Sequence, residues 1–328
     1  MMRKQGLLKK AAAFAMTLAM AAALTACGSS GNSGGSGSAA GETTGAAADA
    51  ESSAAGEGSA AAGESSAAAA GGEEKEDGGV FRTIDEIKES GTINIGVFSD
   101  KSPFGYVDEN GEYQGYDVYF ARRIGEDLGV DVNFVSTEAA NRIEYLKTGK
   151  VDVILANFTV TDERAEEVDF ALPYMNVSLG VVSPGSKVIK SLDDWNPEDQ
   201  MIVISGTTAE TYLTKNYPDM KLQKYDTYAN AKNALENGNG AAWANDNTEV
   251  MAFAKQNPDF TVGIATLGSN DTIAPAVAKG NESVLNWLND EIKSLGQEKF
   301  FHADYEATLL DTYGADYEED LVVEGGGQ

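Results

Sequence analysis

Residues 151–164 read VDVILANFTVTDER, and this stretch decides the fold. The run 151–155 is short and mostly apolar, the pattern of a buried strand. Polar residues follow, and Thr161 or Asp162 stands where a helix N-cap belongs. Strand, loop and helix in that order make one unit of an α/β sheet. The loop then lies at the carboxyl end of a strand, where open α/β sheets take ligands. Arg164 falls in the first turn of the helix, where the helix dipole disfavours a cation. It reads either as a partner of Glu163 or Glu167 or as a cation held ready for a bound anion.

Outward from this unit the same alternation repeats. Strands are expected over 92–98, 131–135, 151–155 and 179–182, and helices over 117–128 and 141–148. Thr83-Ile84-Asp85-Glu86 reads as a capping box opening a short helix. The pattern then restarts, with strands over 201–204, 221–225, 241–244 and 260–264 and helices over 207–216, 228–236, 247–255 and 281–295. Residues 273–278 are apolar and extended. Two blocks of alternating strands and helices predict an α/β protein of two lobes with mostly parallel sheets.

Composition narrows the chemistry. The chain has 328 residues with 24 Lys+Arg against 52 Asp+Glu, a formal charge of -28. Nucleic-acid binding needs a cationic surface and is excluded on this ground, as is docking to an anionic membrane face. Cys27 is the single cysteine and His302 the single histidine, so no internal disulfide and no Cys/His zinc cluster is possible. No cofactor and no metal is expected; acid runs such as Glu318-Glu319-Asp320 read as solvated surface.

The first 26 residues carry Arg3, Lys4, Lys9 and Lys10, then an apolar run from Ala11 to Leu24. That run is short for a membrane span and has the layout of a signal peptide. Leu24-Thr25-Ala26-Cys27 resembles the bacterial lipobox, which implies cleavage before Cys27, lipidation of its thiol and anchoring to the cell membrane. Residues 28–79 are nearly all Gly, Ser, Ala and acids, with nine acids against Lys75 and no aromatic or large aliphatic side chain. Such a segment cannot bury enough surface to offset its ordering entropy. It is expected to be a solvated tether with a reach of roughly 40 Å. Gly31-Asn32-Ser33-Gly34-Gly35 fits G-x-S-x-G by letter only, with no strand before it and no helix after it.

Two further strand-to-helix junctions carry polar groups. Ser205-Gly206-Thr207-Thr208 offers free N–H groups to an anion. Asn245-Asp246-Asn247 offers an acid, which reads either as an N-cap or as an acceptor for a cation. Arg164 and the Thr208 N–H suit a carboxylate, and Asp246 suits an ammonium. A zwitterion needs both, and the residues come from two lobes.

On INIGVFSDKSPFGY (93–106), ENGEYQGYDVYFARRI (109–124), LKTGKVDVILANFTVTDERAEEVDFALPY (146–174), SGTTAETYL (205–213) and WANDNTEV (243–250), the chain resembles family 3 bacterial solute-binding proteins. AANRIEYL (139–146), the stretch 156–175, IAPAVAKG (273–280) and the VVEGG tail are similar to cysteine-binding members. The resemblance implies a two-lobed type II periplasmic-binding-protein fold with two hinge strands. Lobe 1 would comprise 80–182 and 275–328, and lobe 2 183–274. It implies a monomeric, lipid-anchored receptor that passes an L-amino acid, cysteine favoured, to an ABC permease and its ATPase. By position, Arg164 would clamp the ligand carboxylate, with the Thr159 hydroxyl and N–H and the Thr208 N–H. Asp246 would take the ammonium, helped by the Asn157 carbonyl. Phe98, Phe104, Asn141, Arg142 and Asn245 are candidates for reading the side chain. Ala139-Ala140 and Ala274-Pro275 depart from the common family pattern at the pocket walls. An enzyme on the same fold, resembling cyclohexadienyl dehydratases, and a non-transport sensor stand as alternatives.

Overall fold

The structure, a computed structural model, describes residues 81–193 and 195–327. The expected signal peptide, Cys27 and the tether lie outside the described residues. Among the described residues no helix is long and apolar enough to cross a membrane.

The first sheet contains β1 (Thr92–Val97), β5 (Asp131–Ser136), β6 (Val153–Ile154), β7 (Val168–Phe170) and β13 (Ala276–Ala278), in the order β5-β1-β6-β13-β7. β5 and β6 run parallel to β1, whereas β13 returns antiparallel to both β6 and β7. A small hairpin sheet, β2 (Asp100–Lys101), β3 (Gly105–Val107) and β4 (Tyr113–Gln114), follows β1. The second sheet contains β8 (Met175–Pro184), β9 (Gln200–Ile204), β10 (Lys221–Tyr225), β11 (Ala242–Asp246) and β12 (Phe260–Ile273), in the order β10-β9-β11-β8-β12. Here β9, β10 and β11 are parallel, while β8 and β12 are antiparallel to their neighbours. Both sheets are therefore mixed, each with a parallel core.

The helices follow local chemistry. α1 (Ile84–Ser90) carries the complete Thr83/Glu86 capping box, and Gly91 ends it in the left-handed conformation at φ 70°. α2 (Tyr116–Leu128) turns Val118, Phe120, Ala121, Ile124 and Leu128 into the first core. α3 (Arg142–Lys147) and α4 (Asp162–Ala165) are short. In the second lobe α5 (Thr208–Asn216), α6 (Tyr228–Glu236) and α7 (Asn247–Gln256) flank the sheet. α8 (Glu282–Glu298) and α9 (Phe300–Thr308) return to the first core. The α8 stripe of Val284, Leu288, Ile292 and Leu295 is fully buried there, each side chain contributing about 1.5–3 kcal/mol of hydrophobic free energy.

Two differences from the sequence reading matter for the site. β8 and β12 are far longer than the expected strands 179–182 and 260–264. Polar residues such as Asn176, Ser178, Ser269, Asn270 and Asp271 hid their continuation, because these long strands are held by mutual pairing rather than by an apolar pattern. β8 also runs through the expected lobe boundary at 182/183: Leu179 already pairs with Asp246 of β11. Both strands approach the first lobe at their other ends, where Thr159 bridges Ile273.

Candidate functional site

The β6-to-α4 loop sets the first wall. Asn157 sits at φ 44°, an unusual conformation for a residue other than glycine. It is fixed from behind, where its N–H donates to Asp117 Oδ2 at 2.8 Å and Asp117 Oδ1 accepts from the Tyr174 hydroxyl at 2.6 Å. Burial pushes the Asp117 carboxyl up to about 7, against the pull of the Tyr174 hydroxyl and the charge of Lys101. Thr161 is the N-cap of α4 and accepts from Arg164 N–H at 3.2 Å. This settles the choice between Thr161 and Asp162. Arg164 Nη1 donates to the Thr159 carbonyl at 2.7 Å, and its guanidinium lies 4.7 Å from the Phe158 ring.

The second wall comes from β9 and β11. Gly206, at φ 78°, carries its carbonyl across the cleft to both Arg142 Nη2 at 3.2 Å and Arg164 Nη2 at 3.0 Å. The two lobes touch at this point. A Cβ on Gly206 would lie 2.5 Å from Ala140 Cα, so only glycine permits the approach. Asp246 occupies the N-cap position of α7, yet its side chain makes no capping bond. It turns instead to the first lobe and accepts from Lys101 Nζ at 2.7 Å.

Lys101 is the residue that the sequence reading missed. It lies on β2, is 0 % exposed, and donates also to Asn157 Oδ1. The rings of Phe98, Phe104 and Tyr228 surround its ammonium at 5.5, 5.4 and 5.0 Å. Desolvation pulls its pKa down, but Asp246, Tyr228 and Glu249 outweigh that, so it is held above the ordinary lysine range. Burial pulls both arginines below theirs, Arg164 to about 9, where the neighbouring Arg142 charge adds to the effect and Asp246 opposes it.

The structure thus brings Asn157, Thr159, Arg164, Arg142, Phe98, Phe104 and Asp246 to one interlobe cluster. Thr208 opens α5 at its edge and lines, with Arg164, a groove of about 460 Å³ between the lobes. Asn245 is fully buried beside Asp246, whose N–H it accepts at 2.7 Å. Asn141 is not drawn in; its amide donates to Glu138 at the surface. Arg142 is neither solvated nor free: it is 3 % exposed and its guanidinium is spent on the carbonyls of Ala139, Ala156, Asn157 and Gly206. It clamps the loops rather than offering itself to a side chain, and it occupies the Asn157 carbonyl expected to face an ammonium. Another hollow, of about 500 Å³ around Gly91, Arg122 and Phe134, holds none of the predicted site residues. Among the described residues no cluster of acids, cysteine or histidine could hold a metal ion.

Chemically the cleft offers cationic donors on one lobe and an acid on the other, with Lys101, Arg142 and Asp246 buried. The solute receptor for L-cysteine of Neisseria gonorrhoeae is 51% identical, with a TM-score of 0.73 over 74% of this chain and 100% of that one. A cysteine-binding protein from Campylobacter jejuni is 48% identical, with a TM-score of 0.72 over 74% of this chain and 98% of that one. The glutamine-binding protein GlnH of an ABC transporter in Bacillus subtilis is 29% identical over 65% of this chain and 79% of its own length. Residues 93–306, which span both sheets and the interlobe cluster, match the bacterial extracellular solute-binding proteins, family 3, and the chain belongs to that family.

Proposed function

We propose that this protein is a lipid-anchored extracytoplasmic receptor that captures L-cysteine between its lobes and delivers it to an ABC permease and its ATPase. The observation that carries the reading is the interlobe cluster itself. Arg164 and Thr208 line the groove and suit a carboxylate there, Thr159 holds Arg164 through its carbonyl, and the Asp246 carboxylate on the opposite lobe suits an ammonium. Lys101 holds Asp246 Oδ2, so the ligand ammonium takes the other oxygen. The two cysteine-binding neighbours at about half identity favour cysteine over other amino acids. The lipobox-like sequence before Cys27 supports anchoring.

The protein acts by capture, not by turnover. Arg142, Lys101 and Asp246 are all engaged in interlobe bonds rather than poised to move a proton to a reacting atom. Closure follows from the differential affinity of the ligand for the closed arrangement. Calorimetry against the common amino acids and cystine tests the reading, with cysteine expected to bind tightest. Arg164→Ala should weaken it by about 2–5 kcal/mol, since the ligand carboxylate loses a buried ionic partner. Unchanged affinity in that variant removes the clamp, and turnover of prephenate or arogenate would turn the reading to an enzyme.

A further inference from the structure

We infer that the cleft binds cysteine as its thiolate, and that Lys101 is the specificity-determining residue that holds the sulfur. The inference rests on the amino-acid reading above and deepens it. Three cations, Lys101, Arg142 and Arg164, meet in the cluster. Of the acids near Lys101, Glu249 is tied to Lys232 at 2.7 Å and Asp117 stands behind the Asn157 backbone, facing Tyr174. Asp246 alone meets the cations directly. A zwitterion adds no net charge, so it leaves this excess of buried positive charge in place, which is costly in a low-dielectric site. A ligand with one further negative group lowers it by one charge.

The unmet hydrogen bonds have the same sign. Lys101 has three N–H donors and spends two, on Asn157 Oδ1 and Asp246 Oδ2. Its remaining surroundings are the aromatic rings. The side-chain amides Nδ2 of Asn157 and Asn245 are buried and have no acceptor. Where Lys101, Asn157 and Asn245 stand, the unmet groups are donors; the buried Glu249 oxygens nearby also lack a hydrogen-bond partner but face the Lys232 ammonium. Size then decides among anionic side chains. The lobes approach so closely that a single Cβ on Gly206 would collide with the Ala140 backbone, which favours the one-carbon thiolate over longer acids. A nearby lysine also favours the thiolate form of a thiol. On binding, the ligand S–H gives its proton to solvent and the sulfur becomes the acceptor that the Lys101 ammonium and the asparagine amides lack.

The test is an ultraviolet difference spectrum of the protein mixed with reduced cysteine at pH 7, where the free thiol, with a pKa of about 8.5, is almost wholly protonated. The thiolate band is expected to appear in proportion to bound cysteine, with close to one proton released per site. Lys101→Met should lose the band and bind cysteine about 10- to 100-fold more weakly, the size of one charge-assisted hydrogen bond. Lys101→Arg, which keeps the charge, should retain the band. Cysteine bound by the wild type without the band overturns the inference while leaving the receptor reading intact. A band that persists undiminished in Lys101→Met overturns the role of the lysine. Failure of every amino acid to bind overturns the receptor reading and this inference with it.

Discussion

Asn157 shows how one residue can serve two levels at once. Its backbone is left-handed, its N–H is held by Asp117, and its side chain accepts from Lys101. Asparagine tolerates this backbone better than most residues, and a Cβ-bearing replacement without its local polar bonds loses roughly 1–2 kcal/mol. Asn157→Ala should therefore be less stable than Asn157→Gly by about that amount in denaturant titrations, because glycine adopts the conformation freely. Both variants should lose ligand affinity alike, since both lack the acceptor for Lys101. Equal stability of the two would mean that the loop relaxes out of its strained form. Arg164 and Asp246, which the fold brings to the interlobe cluster, stood out in the sequence because each follows a strand and opens a helix. Lys101 was not, because its partners Asn157 and Asp246 are 56 and 145 positions away. On a two-residue strand, a lysine beside Asp100 and Ser102 reads as solvated surface until the fold brings the second lobe onto it. Arg142 failed in the same way, since four carbonyls on three separate segments account for it.

Elements carry the contact between the lobes. The β9-to-α5 junction projects the Gly206 carbonyl onto two guanidiniums, and Thr207 caps α5 by accepting from Glu210 N–H. Gly206→Ala is disfavoured twice, by its φ of 78° and by a Cβ 2.5 Å from Ala140 Cα. The obstacle is backbone, which cannot swing aside as a side-chain tip can, so the lobes must part. The variant should unfold within about 1–2 kcal/mol of the wild type, the range of the left-handed penalty, yet bind its amino acid at least about 10-fold more weakly, which a change of about 1.4 kcal/mol produces. Calorimetry beside thermal unfolding separates the two effects; intact affinity would show that this contact is not part of closure. Most elements were legible, with 221–225 and 228–236 read to the residue, because their alternation and caps are local. β8 and β12 were read short, because a strand defined by its partner leaves no periodic trace in its own sequence.

At the scale of the whole molecule, the buried acids give stability a direction in pH. Burial pushes Asp117 and Glu291 up to about 7 and Asp304 well above its ordinary value, with Asp127 adding to Glu291 and the Thr308 hydroxyl only partly restraining Asp304. In the unfolded chain these groups titrate near 4. Between about pH 4 and pH 7 the folded state therefore binds more protons than the unfolded one, and stability falls as pH rises. The contribution is fully present below the unfolded pKa and, for Asp117 and Glu291, is lost once pH has passed their folded values. Asp108 and Glu198 shift the other way but are exposed, so their effect is screened. Self-repulsion of a chain with a formal charge of -28 acts in the same direction as the buried acids, growing as carboxyls ionise. Urea midpoints should accordingly be higher at pH 5 than at pH 7.5. Asp117→Asn should reduce the difference between the two pH values whatever it does to stability itself, because a constant offset cancels between them. A wild-type midpoint that rises from pH 5 to pH 7.5 would mean that the acids behind the cleft ionise freely, and the dry, cation-rich interior argued for the site would lose its physical basis.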